Sequence, residues 1–236
     1  MLLQTEGRIY LHEQRGFSAG TGFNSFHTFN YGQYFDESRV PFGGLKVFNE
    51  DVLVAGESLK MQIQEDCKVM ILPLVGGIEL KRKGVESEFL GTEQVVFFLG
   101  KKDSEYEICN PYQAETVSFL QIWLRVEEVS STLEDTTKIV SFNLSTKNEL
   151  LPITTQRDTI FIGQYDGRTD GSYSLKNPRN GVFVFAIAGV FEVQDRLLHP
   201  KDALALWNFS ELENAVVEFE ALSNEAVLLL LEIPLK

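Results

Sequence analysis

The amino-acid sequence predicts an all-β protein built as two antiparallel β-barrels in tandem. Short runs rich in β-branched and aromatic residues recur along the 236-residue chain, separated by Gly, Asn, Asp or Pro. No long stretch shows the period of an amphipathic helix. The clearest strand-like runs lie at 95–99, 117–124, 159–164, 182–187, 203–207 and 226–233.

The second half of the chain repeats the pattern of the first, which indicates a duplicated domain. Strand, glycine, strand and turn follow one another in 183–206, as they do in 71–98. A polar stretch rich in Ser, Thr and Glu separates the two halves. We therefore predict an N-terminal domain over 1–126, a connecting segment over 127–150 and a C-terminal domain over 151–236.

The stretch 56–76 predicts a β-hairpin around which the first domain is organised. Two runs of alternating apolar residues, 58–64 and 68–74, flank a charged turn at Glu65 and Asp66. These two carboxylates are adjacent in a tight turn, so their side chains diverge into solvent. We therefore do not expect them to form a general acid/base pair.

Within this hairpin, alternation places Gln62 and Gln64 on one face and Met61 and Ile63 on the other. Two imidazoles at that spacing would make half of a metal site. The amide oxygens of glutamine are neutral and are weak ligands for a transition metal.

Composition and charge disfavour several classes of function. The chain has 34 acidic and 21 basic residues, a formal charge of −13, which disfavours direct binding to a phosphate backbone. The sequence contains no run of about eighteen apolar residues, the length that a membrane-spanning helix needs. Its N-terminus also lacks a secretory pattern, so we expect a cytoplasmic protein. Cys67 and Cys109 are too few for a disulfide framework and are expected to be buried and reduced.

Several stretches resemble a known family. The segments GFNSFHTFNYGQYFD at 22–36 and FGGLKVFNED at 42–51, followed by Asn110-Pro111 and VSFLQIWL at 117–124, are similar to pirins and pirin-like bicupins. The resemblance implies two cupin domains, which are RmlC-like jelly-roll barrels. It also implies an iron or another divalent transition metal, held by a His-x-His pair and a His-x-Glu pair. Those four positions correspond here to Gln62, Gln64, Tyr106 and Ile108.

None of the four residues is a good metal ligand. Tyr106 would bind a cation only as a phenolate, and an unperturbed phenol has a pKa of about 10. Ile108 stands where the family has its carboxylate, so that part of the site becomes apolar. We therefore predict a first-barrel pocket at Gln62, Gln64, Tyr106 and Ile108 with no metal and no cofactor. Either the pocket takes an organic ligand through amide and phenol hydrogen bonds, or its own side chains fill it.

The three histidines offer no replacement ligands. His12 precedes the first predicted barrel, and His199 lies in the HPKD turn of the second. His27 lies in the FHTF strand and is interpreted as a hydrogen-bonded structural imidazole. Gly-rich pairs such as Gly43-Gly44 lack a following helix and are interpreted as strand turns, not as phosphate-binding loops.

Two functions remain open at this point. The first is a metal-free bicupin that acts as a small-molecule-binding or regulatory module, without catalysis, with a small organic ligand or a protein as its partner. The second, implied by the resemblance, is a metal-dependent dioxygenase of the quercetinase type that opens a flavonol. The missing ligands favour the first, because a divalent cation needs strong ligands to offset its dehydration.

Overall fold

A computed structural model of the chain describes residues 5–126, 137–153, 159–209 and 215–235. Among the described residues the regular elements are β-strands, apart from short 3-10 turns such as His12–Gln14. The six strand-like runs found in the sequence all coincide with strands of the structure. The strands are β1 (Glu6–Tyr10), β2 (Gly16–Gly20), β3 (Phe23–His27), β4 (Leu45–Leu53), β5 (Ser58–Gln62), β6 (Cys67–Val75), β7 (Ile78–Arg82), β8 (Glu88–Leu90), β9 (Gln94–Gly100), β10 (Glu105–Cys109), β11 (Val117–Arg125), β12 (Lys138–Ser141), β13 (Leu151–Pro152), β14 (Thr159–Tyr165), β15 (Thr169–Ser174), β16 (Gly181–Ala188), β17 (Phe191–Val193), β18 (Arg196–Leu198), β19 (Ala203–Trp207), β20 (Val216–Ala221) and β21 (Ala226–Ile233).

The chain divides into two compact units. The N-terminal unit is Arg15–Ser141, and the C-terminal unit combines Met1–Gln14 with Phe142–Lys236. The division predicted from the sequence differs in two places. Strand β1 pairs with β19 and so belongs to the C-terminal unit, whereas β12, inside the predicted connecting segment, pairs with β9 of the N-terminal unit. Residues 127–136 of that segment lie outside the described residues.

The N-terminal unit is a jelly roll of two antiparallel sheets. Its larger sheet has the order β12-β9-β6-β11-β4-β3-β2, and its smaller sheet has the order β5-β10-β7-β8. One apolar cluster contains side chains from both sheets, among them Val69 and Phe119 from the larger and Met61 and Ile108 from the smaller. Burying alternate residues of each strand against the opposite sheet is what holds such a sandwich together.

The predicted hairpin over 58–74 is not formed. Strand β5 pairs with β10, while β6 pairs with β9 and β11, so the two runs lie in different sheets. Between them the chain crosses from the smaller to the larger sheet. Ile63 secures the crossing through backbone bonds to the loop before β10: its N–H donates to Ser104 O at 2.9 Å, and its carbonyl accepts from Asp103 N at 2.8 Å.

The C-terminal unit repeats the same architecture, as the sequence predicts. Its larger sheet has the order β1-β19-β16-β21-β14-β13, and its smaller sheet has the order β15-β20-β17-β18. Tyr165, Phe191 and Phe219 pack edge to face in its core at centroid separations of 5.2 to 6.3 Å. The structure therefore confirms the predicted all-β fold with two similar jelly-roll units in tandem, each made of two packed sheets.

No helix among the described residues has the length and apolar character that crossing a membrane requires. The cytoplasmic location expected from the sequence stays a prediction.

Candidate functional site

The four residues at the expected metal positions do not converge on one pocket. Gln62 and Gln64 are exposed, whereas Tyr106 and Ile108 are buried, with 3% and 0% of their surface accessible. Gln62 lies opposite Glu105 in the β5–β10 ladder, so both side chains point out of the sandwich. The next residue of β10 points inward, and Tyr106 accordingly lies opposite buried Met61. The four-residue pocket predicted from the sequence is therefore not formed by these side chains.

Tyr106 ends a chain of buried hydrogen bonds inside the N-terminal unit. Its hydroxyl donates to Gln121 Oε1 at 2.5 Å and accepts from Trp123 Nε1 at 3.0 Å. The amide of Gln121 in turn donates to Asp51 Oδ2. All four side chains are nearly or fully buried, so these bonds satisfy groups that water cannot reach. The hydroxyl of Tyr106 therefore both donates and accepts a hydrogen bond within the protein. Burial raises the pKa of Tyr106 well above its ordinary value.

Asp51 is the one carboxylate in this chain of bonds. It is fully buried, and burial raises its pKa from 3.8 to about 6. Hydrogen bonds from Ser25 and Gln121 lower the pKa and so oppose the effect of burial, whereas the nearby charge of Glu50 adds to it. The anionic form at neutral pH is therefore destabilised by burial, and the hydrogen bond from the Gln121 amide offsets part of that cost.

His27 is fully buried and hydrogen-bonded, as the sequence predicts. The Ser18 hydroxyl lies 2.8 Å from its Nε2, and its ring packs against Tyr31 at a centroid distance of 5.0 Å. Burial lowers the pKa of His27, so the neutral ring is favoured. These contacts identify it as part of the core.

The residues present do not fit a transition metal. The two glutamines point away from the core, Ile108 has no donor atom, and the Tyr106 oxygen already makes two hydrogen bonds. Within the described ranges, no three His, Cys, Asp or Glu side chains come together in a way that could hold a metal ion. No chemistry of a bound metal is therefore assigned to this site.

A concave surface of the N-terminal unit is lined in part by Tyr106. It encloses about 480 Å³, and its principal side chains are Arg82, Lys83, Phe98, Lys101, Lys102 and Tyr106. We call this surface the basic cleft. Asp103 and Glu105 also line it, so four cationic side chains face two carboxylates. A smaller depression of about 240 Å³ adjoins it and shares Arg82 and Tyr106.

Two turns and an aromatic floor build the basic cleft. Arg82 ends β7 and Lys83 begins the turn that follows it, whereas Lys101 and Lys102 lie in the turn that precedes β10. Phe98 forms the floor, packing edge to face on Tyr106 at 5.2 Å. The sequence contained a signal for the cleft, because the KRK run at 81–83 and the KK pair at 101–102 stand out in an acidic chain. Only the fold shows that the two are neighbours.

Comparison with known proteins points to one group. The family described as the quercetinase C-terminal cupin domain matches residues 143–233. The quercetin 2,3-dioxygenase of Escherichia coli K12 is 30% identical over 125 residues, which is 51% of this chain and 53% of that protein. A putative quercetin 2,3-dioxygenase of Pasteurella multocida is 26% identical over 117 residues, 49% of this chain and 50% of that protein. The chain thus spans about half the length of the curated relatives it matches.

Solved structures agree with the fold along the whole chain. The crystal structure of YhhW from Escherichia coli matches with a TM-score of 0.84 at 17% identity, covering 97% of this chain and 98% of that one. The bacterial pirin YhhW in complex with nickel(II) gives a TM-score of 0.79 at 17% identity, with 97% and 99% covered. Quercetin 2,3-dioxygenase from Acinetobacter baumannii gives 0.71 at 13% identity, with 99% and 88% covered. All three structures are less than 25% identical to this chain, so the likeness shows a shared fold, that of the pirin-like bicupins.

Proposed function

We propose that this protein is a metal-free pirin-like bicupin that acts by binding, as a small-molecule-binding or regulatory module, and not by catalysis. One observation carries the proposal. At the positions that correspond to the family's metal ligands, two side chains are exposed amides and two are buried core residues, one of them aliphatic. A divalent cation placed there would lose its hydration shell and gain no anionic ligand in return.

The competing candidate is a quercetin dioxygenase, and the names of the relatives favour it. The two candidates differ in metal content, which can be measured directly. We expect protein purified without chelator from medium containing iron, nickel, manganese and copper to carry much less than one metal ion per chain. We also expect it not to consume quercetin, under conditions where the Escherichia coli dioxygenase does.

The variant Tyr106→Phe sharpens this test. Of the four residues, Tyr106 is the one that points into the core and carries an oxygen able to bind a metal. Near-equimolar metal in the wild type, lost together with quercetin oxidation in Tyr106→Phe but retained in Gln62→Ala, would contradict the proposal. It would also establish the dioxygenase alternative.

A further inference from the structure

We propose that the basic cleft of the N-terminal unit binds a small organic dianion, either a phosphate monoester or a dicarboxylate. This inference rests on the proposed binding function and adds the class of ligand and the place where it binds.

The charge of the cleft is opposite in sign to that of the protein. The chain carries a formal charge of −13, yet four of the cleft's side chains are cationic and only two are anionic. A concave surface concentrates the field of the charges that line it, so the excess of positive charge acts on the enclosed space. A ligand with two negative charges balances that excess.

The lysines are not neutralised by neighbouring acids. Within the described part of the chain, none of Lys83, Lys101 and Lys102 forms an ion pair with a carboxylate, although other lysines do, as Lys147 does with Asp166 at 2.9 Å. Their ammonium groups remain available as hydrogen-bond donors to an oxyanion.

The loop that carries Lys101 and Lys102 is held in place by hydrogen bonds. The N–H of Lys102 donates to Asp66 Oδ1 at 2.8 Å, and Ser104 N donates to Lys101 O at 3.0 Å. Asp66 is exposed, as predicted, although it lies in the crossing between β5 and β6 and not in a hairpin turn, and its carboxylate fixes this loop. Holding the loop before a ligand arrives lowers the entropy that binding would cost.

Arg82 is fixed over the ring of Phe98. Its guanidinium lies 4.6 Å from the ring centroid of Phe98 and donates a hydrogen bond to Thr137 Oγ1. The space of about 480 Å³ lies within the range of about 300 to 1,000 Å³ typical of small-molecule sites. The ligand class is therefore a small molecule with a compact apolar body and a doubly charged oxyanion.

The test is calorimetric titration with phenyl phosphate, phthalate, inorganic phosphate and neutral benzyl alcohol at low salt. We expect phenyl phosphate or phthalate to bind more tightly than benzyl alcohol, with affinity falling as salt is added. The variant Lys101→Gln/Lys102→Gln should weaken binding about tenfold, because two cations are removed from the site. Lys101 and Lys102 are exposed, so this double variant is expected to fold. The matched control, Lys176→Gln/Arg179→Gln, makes the same charge change at exposed residues of the C-terminal unit and should leave binding unchanged.

The outcomes separate this inference from the proposed function. If phenyl phosphate binds and phthalate does not, the ligand is a phosphate monoester, and the reverse result assigns a dicarboxylate. Equal affinity in the wild type and in Lys101→Gln/Lys102→Gln overturns the inference, as does the failure of both dianions to bind at about 10 mM. In that case the absence of metal would still support a binding module, whereas stoichiometric metal overturns the proposed function whatever the titration gives.

Discussion

Asp51 makes the stability of the protein depend on pH in an unusual direction. Burial raises its pKa from 3.8 to about 6, so the folded protein binds this proton more tightly than the unfolded chain does. Its contribution to the free energy of unfolding is fully present below about pH 3.8 and is lost as the pH rises through about 6. At neutral pH the raised pKa of Asp51 lowers the free energy of unfolding by about 3 kcal/mol relative to its value at low pH.

We therefore predict that Asp51→Asn removes this titration. Plotted against pH, the unfolding free energy of the wild type minus that of the variant should fall between about pH 4 and pH 7, as measured by urea denaturation. Asp36→Asn is the matched control. Asp36 is exposed, and hydrogen bonds from Ser38 lower its pKa, so its difference curve should rise over the acid range instead. A flat difference curve for Asp51→Asn would mean that the carboxylate is not buried as described.

Tyr106→Phe tests whether the buried phenol is structural. Removing the hydroxyl leaves Trp123 Nε1 without its acceptor and Gln121 Oε1 without its donor, in a region that water does not reach. Unsatisfied buried groups of this kind cost about 1 to 3 kcal/mol each. Because two groups lose their partner, we expect the unfolding free energy to fall by about 2 to 6 kcal/mol.

The variant Trp123→Phe completes a double-mutant cycle for the same hydrogen bond. The two substitutions should be strongly non-additive, because they remove opposite ends of one contact. Additive effects, or a Tyr106→Phe variant as stable as the wild type, would contradict the hydrogen-bond chain described for this core.

At the scale of elements, the alternation of the segment 58–64 was predictable from the sequence, but its partner strand was not. Met61 and Ile63 do share a face, as do Gln62 and Gln64. Which face is buried depends on pairing with β10, more than forty residues later in the chain. Register is a tertiary property, and a difference of one residue reverses every side chain of a strand. Local pattern therefore identified the strand correctly but did not identify the residues that point into the core.

From this register we predict that truncating the buried residues of the segment costs more stability than truncating the exposed ones. Met61→Ala and Ile63→Ala, which truncate side chains that are 6% and 0% exposed, should each lower the unfolding free energy by about 2 to 5 kcal/mol. Gln62→Ala and Gln64→Ala, their exposed neighbours, should change it by no more than about 0.5 kcal/mol. Urea denaturation of the four variants measures the contrast, and the reverse order would place the glutamines inside the sandwich.

At the scale of the whole molecule, the all-β class and the duplication could be predicted, because both rest on repeated local patterns. The assignment of the first strand could not. Strand β1 pairs with β19 in the register Glu6↔Trp207, and nothing near residue 6 indicates a partner two hundred positions away. Other contacts join the same two regions: Glu6 accepts hydrogen bonds from Trp207 Nε1 at 2.7 Å and Asn208 Nδ2 at 2.8 Å. The N-terminal strand is therefore an integral part of the C-terminal unit.

We therefore predict that a chain lacking residues 1–10 loses protection from hydrogen exchange in β19. Deletion leaves one edge of β19 without its backbone partners, and it removes Tyr10, which is buried and packs on Phe183 at a centroid distance of 6.1 Å. The amides of Ala203–Trp207 should exchange faster, while those of Cys67–Val75, inside the larger sheet of the N-terminal unit, serve as the internal reference. The full-length variant Tyr10→Ala keeps the strand pairing and removes only the packing, so its exchange in β19 should lie between that of the wild type and that of the truncated chain. If β19 were as protected in the truncated chain as in the wild type, the pairing would contribute nothing to the unit. If the reference strand lost protection equally, the effect would be global and would not locate β1 at this edge.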